Sequence, residues 1–270
     1  MRHALAHAKL NLALVVGPFR DDGKHELATV YQRIELADRL ELQPAEALDV
    51  VGYSGDTLVR AALEALAARA GVEPRWRVTI EKNVPIAAGL AGGSSDAAAA
   101  LELANSTLRE PLPPAVIAVL AAGLGADVPF FLTHGPQLGI GSGTHLHPLE
   151  LPQDYSALLV FPSGETKTST ADVYRAFDAR RGEIGFARRR DQLLAALENV
   201  HRPSDLARLP SNDLAKSPLS EQLRDLGAFR ADVSGAGPTV FGLFERSEQA
   251  ALAATIMASA GETRLTRPAW

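Results

Sequence analysis

The sequence contains no cysteine in 270 residues. That excludes disulfide cross-links, thiolate metal sites and a cysteine nucleophile, and it fits a reducing compartment. A membrane-spanning run is also missing. The uncharged residues 83–95 are rich in alanine and glycine, too few and too weakly apolar to cross a bilayer. No internal repeat or low-complexity linker interrupts the chain. An excess of basic charge is absent as well: 27 Lys and Arg stand against 32 Asp and Glu, a net charge of −5. This balance argues against a general binder of nucleic acid or anionic membranes, while leaving room for a local basic pocket. The N-terminal residues 1–17 have the outline of a leader, a basic residue followed by an apolar run. Lys9 and Asn11 interrupt that run and no small-residue cleavage site follows, so a cytoplasmic protein is expected.

With 46% hydrophobic and 22% charged residues the chain reads as globular, and its length accommodates one large domain or two ordinary ones. Its most informative segment runs from Pro85 through Ala88, Gly89, Leu90, Ala91, Gly92, Gly93, Ser94, Ser95 and Asp96 into a run of alanines. Glycines permit positive φ and close backbone approach to a ligand. Ser94, Ser95 and Asp96 are residue types that open helices. The unpaired N–H groups and positive dipole end of such a helix suit a phosphate. No lysine follows Gly93, so this is not a P-loop, and the spacing is not Gly-x-Gly-x-x-Gly. The alternative is a tight turn of small residues leading into a buried helix.

Residues 8–16 alternate as a strand, with Leu10, Leu12, Leu14 and Val16 on one face and Lys9 and Asn11 on the other. Residues 30–43 read as a hairpin turning near Ala37-Asp38. Residues 56–70 have helical periodicity ended by Gly71, and residues 75–81 form a strand with Trp76, Val78 and Ile80 on one side. Helices are expected over residues 94–105, apolar nearly all round and so buried, and over 114–123. From residue 155 the pattern predicts strands at 157–161, 229–234, 239–244 and 262–267, with helices at 170–180, 187–199, 216–226 and 247–261. That order fits a two-layer, mostly antiparallel α+β arrangement. The arginine-rich residues 182–190 read as a solvated surface.

Three further segments carry candidate chemistry. Lys9 and Asn11 project from the same face of an apolar strand, although a lysine at a strand edge is usually solvated. Asp127 precedes the apolar run 128–132, where an acid often only caps a helix. Gly235 and Gly237 lie in a tight turn between two strands, which marks a bulge or hairpin, or a place where backbone N–H groups meet an anion.

In order and at matching separations, these segments resemble the GHMP superfamily of small-molecule kinases. Residues 85–98 look like its phosphate-binding motif and residues 234–241 like its C-terminal glycine motif. The resemblance sharpens toward the 4-diphosphocytidyl-2-C-methyl-D-erythritol kinase family of the non-mevalonate isoprenoid pathway. It rests on Ala-Lys-Leu-Asn-Leu at 8–12, Arg-Asp-Asp-Gly-Lys-His-Glu-Leu at 20–27, and Ala-Gly-Leu-Ala-Gly-Gly-Ser-Ser-Asp-Ala-Ala at 88–98. Gly-Ala-Asp-Val-Pro-Phe at 125–130, Ser-Thr-x-x-Val-Tyr at 169–174 and Asn212-Asp213 complete it. The match covers nearly the whole chain.

The resemblance implies a two-domain α+β GHMP-kinase fold. An N-terminal α/β domain, similar to domain 2 of ribosomal protein S5, would span residues 1–153 and hold ATP. A ferredoxin-like α+β domain would span 154–270, with the active site between the two. It implies ATP-dependent phosphorylation of the 2-hydroxyl of the cytidyl diphosphate substrate. Asp127 would accept the hydroxyl proton, and Lys9 would keep that carboxylate ionised and offset phosphoryl charge. Backbone N–H groups of residues 89–95 with the Ser94 and Ser95 hydroxyls would cradle the phosphates, and Mg²⁺ would accompany ATP without an assigned protein ligand. Asn11, Lys24, His25, Asp127, Tyr174, Gly235 and Gly237 would contact the substrate, with His25 on the cytosine edge and Phe177 as a further aromatic. Partners would be the small-molecule substrate and ATP, with no nucleic acid and no membrane; oligomeric state is not readable.

Two departures stand out. Lys24 replaces the family's tyrosine, one wall of a cytosine sandwich, and Asp56-Thr57-Leu58 replaces a common Asn-Leu pair. The alternatives are therefore a GHMP kinase acting on a different small alcohol, or a catalytically silent binding or regulatory protein on the same fold.

Overall fold

The computed structural model describes residues 1–53, 57–164 and 169–269. The departure at Asp56 falls outside them. The chain divides into two compact units: Met1–Ala8, Leu36–Ile86 and Ala91–His134 in one, and Lys9–Glu35, Ala87–Leu90 and Gly135–Trp270 in the other.

Two long strands open the chain, β1 (Arg2–Phe19) and β2 (His25–Pro44), and they pair with each other. Residues 8–17 of β1 are all buried, so both faces of the expected alternation are covered and Lys9 and Asn11 are not solvated. The hairpin expected at Ala37-Asp38 does not form, and β2 runs through it unbroken. Neither residue is of the Asn-Gly or Asp-Gly kind that a two-residue turn favours. The Asp38 side chain is instead consumed by bonds to Asn83, Val84 and Lys82.

In the first unit, β3 (Asp49–Val51) pairs in parallel with β4 (Trp76–Glu81), and β4 pairs antiparallel with the end of β2, from Arg39↔Glu81 to Pro44↔Trp76. The burial of β4 alternates as its sequence predicts, with Trp76, Val78 and Ile80 inward. Helix α1 (Thr57–Ala70) packs along α2 (Gly92–Asn105). On α1 Val59, Ala62, Leu63 and Leu66 are fully buried, and on α2 so are Ala97, Ala100, Leu101 and Ala104. Each leucine contributes roughly 1.5–3 kcal/mol of burial, and the alanines let the helix axes come close. Helix α3 (Pro114–Leu124) follows, then a 3₁₀ turn at Val128–Leu132.

In the second unit, the start of β2 pairs with β5 (Gln137–Gly141), and β5 with β6 (His145–Pro148), two strands the sequence reading missed. A separate antiparallel sheet has the order β10-β7-β9-β8, from β7 (Ser156–Pro162), β8 (Arg230–Val233), β9 (Val240–Phe244) and β10 (Gly261–Thr266). Helices α4 (Thr170–Ala179), α5 (Phe186–Leu197), α6 (Leu219–Asp225) and α7 (Ser247–Met257) complete this unit. Leu158, Val160 and Phe244 of the sheet meet Leu223 of α6 and Ala250, Ala253 and Met257 of α7 in one core. The expected antiparallel α+β layer is therefore present. Among the described residues no helix is long and apolar enough to cross a membrane.

Candidate active site

In the second unit, β1 carries Lys9 and Asn11 two residues apart, hence on one face. Lys9 Nζ donates to Asn11 Oδ1 at 2.5 Å, Asn11 Nδ2 donates to Thr29 Oγ1 at 2.8 Å, and the Thr29 hydroxyl donates to the Ala13 carbonyl at 2.7 Å. The ammonium lies 5.6 Å from the centre of the Tyr31 ring. Removing an ammonium from water costs several kcal/mol, so a lysine only 3% exposed is held in a strand by such partners.

Two glycine segments meet this pair. The Lys9 N–H donates to the Leu90 carbonyl at 3.1 Å, Thr239 N–H to the Ala88 carbonyl at 3.3 Å, and Ser234 Oγ to the Gly89 carbonyl at 3.0 Å. A Cβ on Gly89 would sit 2.3 Å from the Ser234 carbonyl oxygen, and one on Gly235 would sit 3.3 Å from Asn11 Oδ1 and 3.6 Å from Lys9 Nζ. Both residues also have positive φ, +81° and +58°, which favours glycine, and at Gly89 a Cβ would in addition overlap backbone. Lys9, Asn11, Ala88, Gly89, Leu90, Gly235 and Gly237 are thus brought together, although more than a hundred residues separate the two glycine segments in sequence.

Asn212 holds the second of these segments. Its Nδ2 donates to the carbonyls of Val233 at 2.9 Å and Gly235 at 2.7 Å, and its Oδ1 accepts from Leu214 N–H at 2.8 Å. Asp232 Oδ2 accepts the Asn212 N–H at 2.9 Å. Burial pushes the Asp232 carboxyl above its ordinary value, and it pushes Arg230, 3.6 Å away, down to about 10. The Asn-Asp pair was visible in the sequence, but nothing there showed that its amide serves the glycine turn.

His25 stands at the start of β2, almost fully buried. Its Nδ1 lies 2.7 Å from the Gly17 carbonyl and so carries the proton, because a carbonyl only accepts. Nε2 lies 3.3 Å from Asp178 Oδ1. Three rings surround the imidazole: Phe19 at 4.1 Å, Tyr174 stacked at 5.0 Å and 26°, and Phe177 edge-on at 5.7 Å. Lys24 is exposed in the preceding turn, its N–H on Asp22 Oδ1 and its carbonyl accepting from Arg20 N–H. Phe19, 62% exposed beside the histidine, is the residue the sequence reading overlooked. An aromatic at the exposed end of an otherwise buried strand was the available signal.

The arginine-rich residues 182–190 are not simply a solvated surface. Arg189 donates to Asp213 Oδ2, to the carbonyls of Ile184 and Gly182, and to that of Val16 on β1. A cavity of about 580 Å³ lies beside it, lined by Phe177, Arg180, Arg189, Asn212, Asp213 and Lys216 among others. It contains neither Lys9 nor the glycine turns.

The first unit carries the helix start and Asp127. Helix α2 begins at Gly92, two residues before the expected Ser94, and its N-cap is Ala91 with φ 55° and no side-chain bond. Ser95 and Asp96 are buried within the helix rather than capping it. Packing decides this, since the Gly92 position has Val84 only 3.1 Å from where a Cβ would be. The first helical bond runs from Ser95 N–H to the Ala91 carbonyl, so the N–H groups of Gly92, Gly93 and Ser94 have no carbonyl within the helix. Gly93 faces open space. Ahead of the helix, Ala87 (φ 61°), Gly89 (81°) and Ala91 (55°) alternate in the left-handed region, which costs about 1 kcal/mol for each alanine. Asp127 is half-buried at the N-cap position of the 3₁₀ turn, yet its side chain makes no capping bond there.

Comparison with known proteins places these features. Residues 57–135 match the family model for the GHMP kinases N terminal domain, and residues 217–263 that for GHMP kinases C terminal. The chain is 36% identical over 265 residues to the 4-diphosphocytidyl-2-C-methyl-D-erythritol kinase of Desulfitobacterium hafniense (strain Y51), covering 93% of this chain and 90% of that one. It is 39% identical to the same-named kinase of Kineococcus radiotolerans, covering 92% and 82%. A crystal structure of 4-(cytidine 5'-diphospho)-2C-methyl-D-erythritol kinase superposes with a TM-score of 0.81 at 31% identity over the full length of both chains. The Methanococcus jannaschii mevalonate kinase, at 13% identity and a TM-score of 0.78, shares the fold.

Proposed function

The chain belongs to the 4-diphosphocytidyl-2-C-methyl-D-erythritol kinase family of GHMP kinases, and from that premise we propose that it transfers the γ-phosphoryl group of ATP to the 2-hydroxyl of 4-diphosphocytidyl-2-C-methyl-D-erythritol. The observation that carries this reading is the buried Lys9–Asn11 pair against the two interlocked glycine segments. Phosphoryl transfer asks a protein mostly for positioning and charge neutralisation. Glycine turns whose backbone lies close against this pair offer the first, and a fixed ammonium the second.

In this reading Asp127 accepts the proton of the attacking hydroxyl, and Lys9 offsets the charge that develops on the transferring group. The N–H groups of Gly92, Gly93 and Ser94, with the Ser94 and Ser95 hydroxyls, bind the ATP phosphates; a helix start with three N–H groups not bonded within the helix and an open glycine suits that anion. Asn11, Gly235 and Gly237 border the acceptor. Among the described residues no group of three or more His, Asp or Glu is arranged to hold a metal. Mg²⁺ would accompany ATP, held largely by phosphates and waters, and would neutralise phosphate charge. Base recognition falls to His25 and its rings. Lys24 offers no aromatic face, and Phe19 and Tyr174 do.

Incubating the purified protein with Mg-ATP and the cytidyl substrate tests the reading: ADP release is expected. Release only with other alcohols would move the assignment to another acceptor, and ATP binding without turnover on any alcohol would favour a silent member of the fold. Asp127→Asn should lower kcat by about 10²–10⁴-fold while ADP still binds. Near-normal turnover would remove Asp127 from the base role.

A further inference from the structure

Two buried carboxylates and one lysine lie around the stem of the glycine loop, all within the first unit. Asp38 of β2 is fully buried. Its Oδ1 accepts the N–H groups of Asn83 at 2.6 Å and Val84 at 2.8 Å, the residues that lead into the loop. Its Oδ2 accepts from Lys82 Nζ at 2.5 Å. The same ammonium donates to Oδ2 of Asp96 at 2.6 Å, and Asp96 is fully buried in the first turns of α2, where the chain leaves the loop. We propose that Asp38, Lys82 and Asp96 act as a positioning clamp that fixes both ends of the loop, and thereby the N–H groups at the start of α2 that hold the nucleotide phosphates. This rests on the kinase reading above.

The physical case has three parts. Stability alone does not account for the arrangement, because desolvating two carboxylates and an ammonium costs several kcal/mol each and an apolar replacement is often as stable. Direction is what the ions add: four bonds of 2.5–2.8 Å tie β2, the loop stem and the helix start to one another. The two ends also leave little room between them, since a Cβ added at Gly92 would lie 3.1 Å from Val84 Cγ1 and 3.4 Å from Asp38 Oδ2. A displacement of one end therefore moves the other. Charge is the third part. One ammonium faces two carboxylates, and without it two neighbouring anions would oppose a phosphate at the same helix end. A misplacement of 1 Å at a reacting centre can cost about 10²-fold in rate, so a clamp of this kind is read out in nucleotide binding and turnover as well as in stability.

The test measures ADP affinity by titration calorimetry, KM for ATP and for the acceptor, and the urea midpoint, for wild type and Lys82→Met, Lys82→Arg and Asp38→Asn. Lys82→Met should weaken ADP binding and raise KM for ATP by about 10-fold or more, with KM for the acceptor within about twofold; Lys82→Arg should restore most of the loss. Asp38→Asn is the sharper variant, and it decides the matter if Lys82→Met does not fold. It removes a negative charge, so an electrostatic effect alone tightens ADP binding, whereas the clamp weakens it. Wild-type affinity in folded Asp38→Asn or Lys82→Met overturns the clamp alone. A wild-type protein that binds no ADP overturns the kinase reading, and the clamp with it.

Discussion

Replacing Asn212 with alanine removes a side chain that is 2% exposed and makes three hydrogen bonds. The carbonyl of Val233 and the N–H of Leu214 belong to buried residues, so each loses its partner with no water to replace it. An orphaned buried group costs about 1–3 kcal/mol. The Gly235 carbonyl is in a half-buried turn that water can reach, so its loss is nearer the net value of one hydrogen bond, about 0.5–1 kcal/mol. The sum is about 2.5–7 kcal/mol, a large share of the 5–15 kcal/mol that typically separates folded from unfolded. Asn212→Asp separates the donors from shape. It retains the acceptor for Leu214 but points an oxygen at two carbonyl oxygens. A carboxyl so placed titrates above its unfolded value, because the neutral acid can donate to one of them. The folded state then binds more protons than the unfolded state between those two values, so stability falls as pH rises. Urea unfolding at pH 5 and pH 7 measures both effects. Asn212→Ala should lose about 2.5–7 kcal/mol with little pH dependence relative to wild type, and Asn212→Asp should be less stable at pH 7 than at pH 5. A loss below about 1 kcal/mol in the alanine variant would refute the view that this amide holds the glycine turn.

Three further outcomes are expected. Ala91 occupies the left-handed region at the start of α2; Ala91→Gly relieves about 1–2 kcal/mol of strain and adds about 0.5–1 kcal/mol of unfolded-state entropy, so its urea midpoint should equal or exceed wild type, and a loss above about 0.5 kcal/mol would contradict the strain. Phe19→Ala should raise KM for the cytidyl substrate by about 5- to 100-fold, the equivalent of one base–aromatic stack of about 1–3 kcal/mol, with KM for ATP unchanged; an unaltered acceptor KM would return base recognition to Tyr174 alone. Burial by itself pushes the Lys82 ammonium down, but hydrogen bonds and charge from Asp38 and Asp96 outweigh it and the net direction is upward. Its contribution is therefore fully present below the unfolded value of about 10.4 and is lost as pH rises through the higher folded value. The stability difference between wild type and Lys82→Met should be constant from pH 7 to 10 and shrink above that, and a difference that grows with pH would invert the assignment.

Much of the architecture was legible residue by residue. The alternation Trp76, Val78, Ile80 gave its strand directly, and the antiparallel layer after residue 155 followed from strand and helix periods that agree with one another. The failures have physical reasons. The hairpin expected near Ala37-Asp38 does not form, because the Asp38 charge is satisfied inside the fold by Lys82 and the strand runs on. The start of α2 was placed by capping propensity at Ser94, but contact of Gly92 with Val84 and a left-handed Ala91 set it two residues earlier. Strands β5 and β6 are short and glycine- and histidine-rich, and they exist because β2 offers them an edge. That residues 8–17 of β1 are buried on both faces was not legible locally, because a strand's alternation does not record what packs on its second face.

What the sequence determined by itself is the set of chemical parts and the family: the glycine segments, the paired Lys9 and Asn11, Asp127, and the ordered motifs that tie the chain to small-molecule kinases. These are carried by residue identity and local spacing, which survive without knowledge of the fold. Only the tertiary structure decided which parts meet. It set Gly89 against Ser234 and Gly235 against Asn11, put Asn212 behind the glycine turn, and closed Lys82 between two buried carboxylates. Contacts of that kind join residues tens to more than a hundred positions apart, and they are fixed by the burial of surfaces that local sequence patterns do not record.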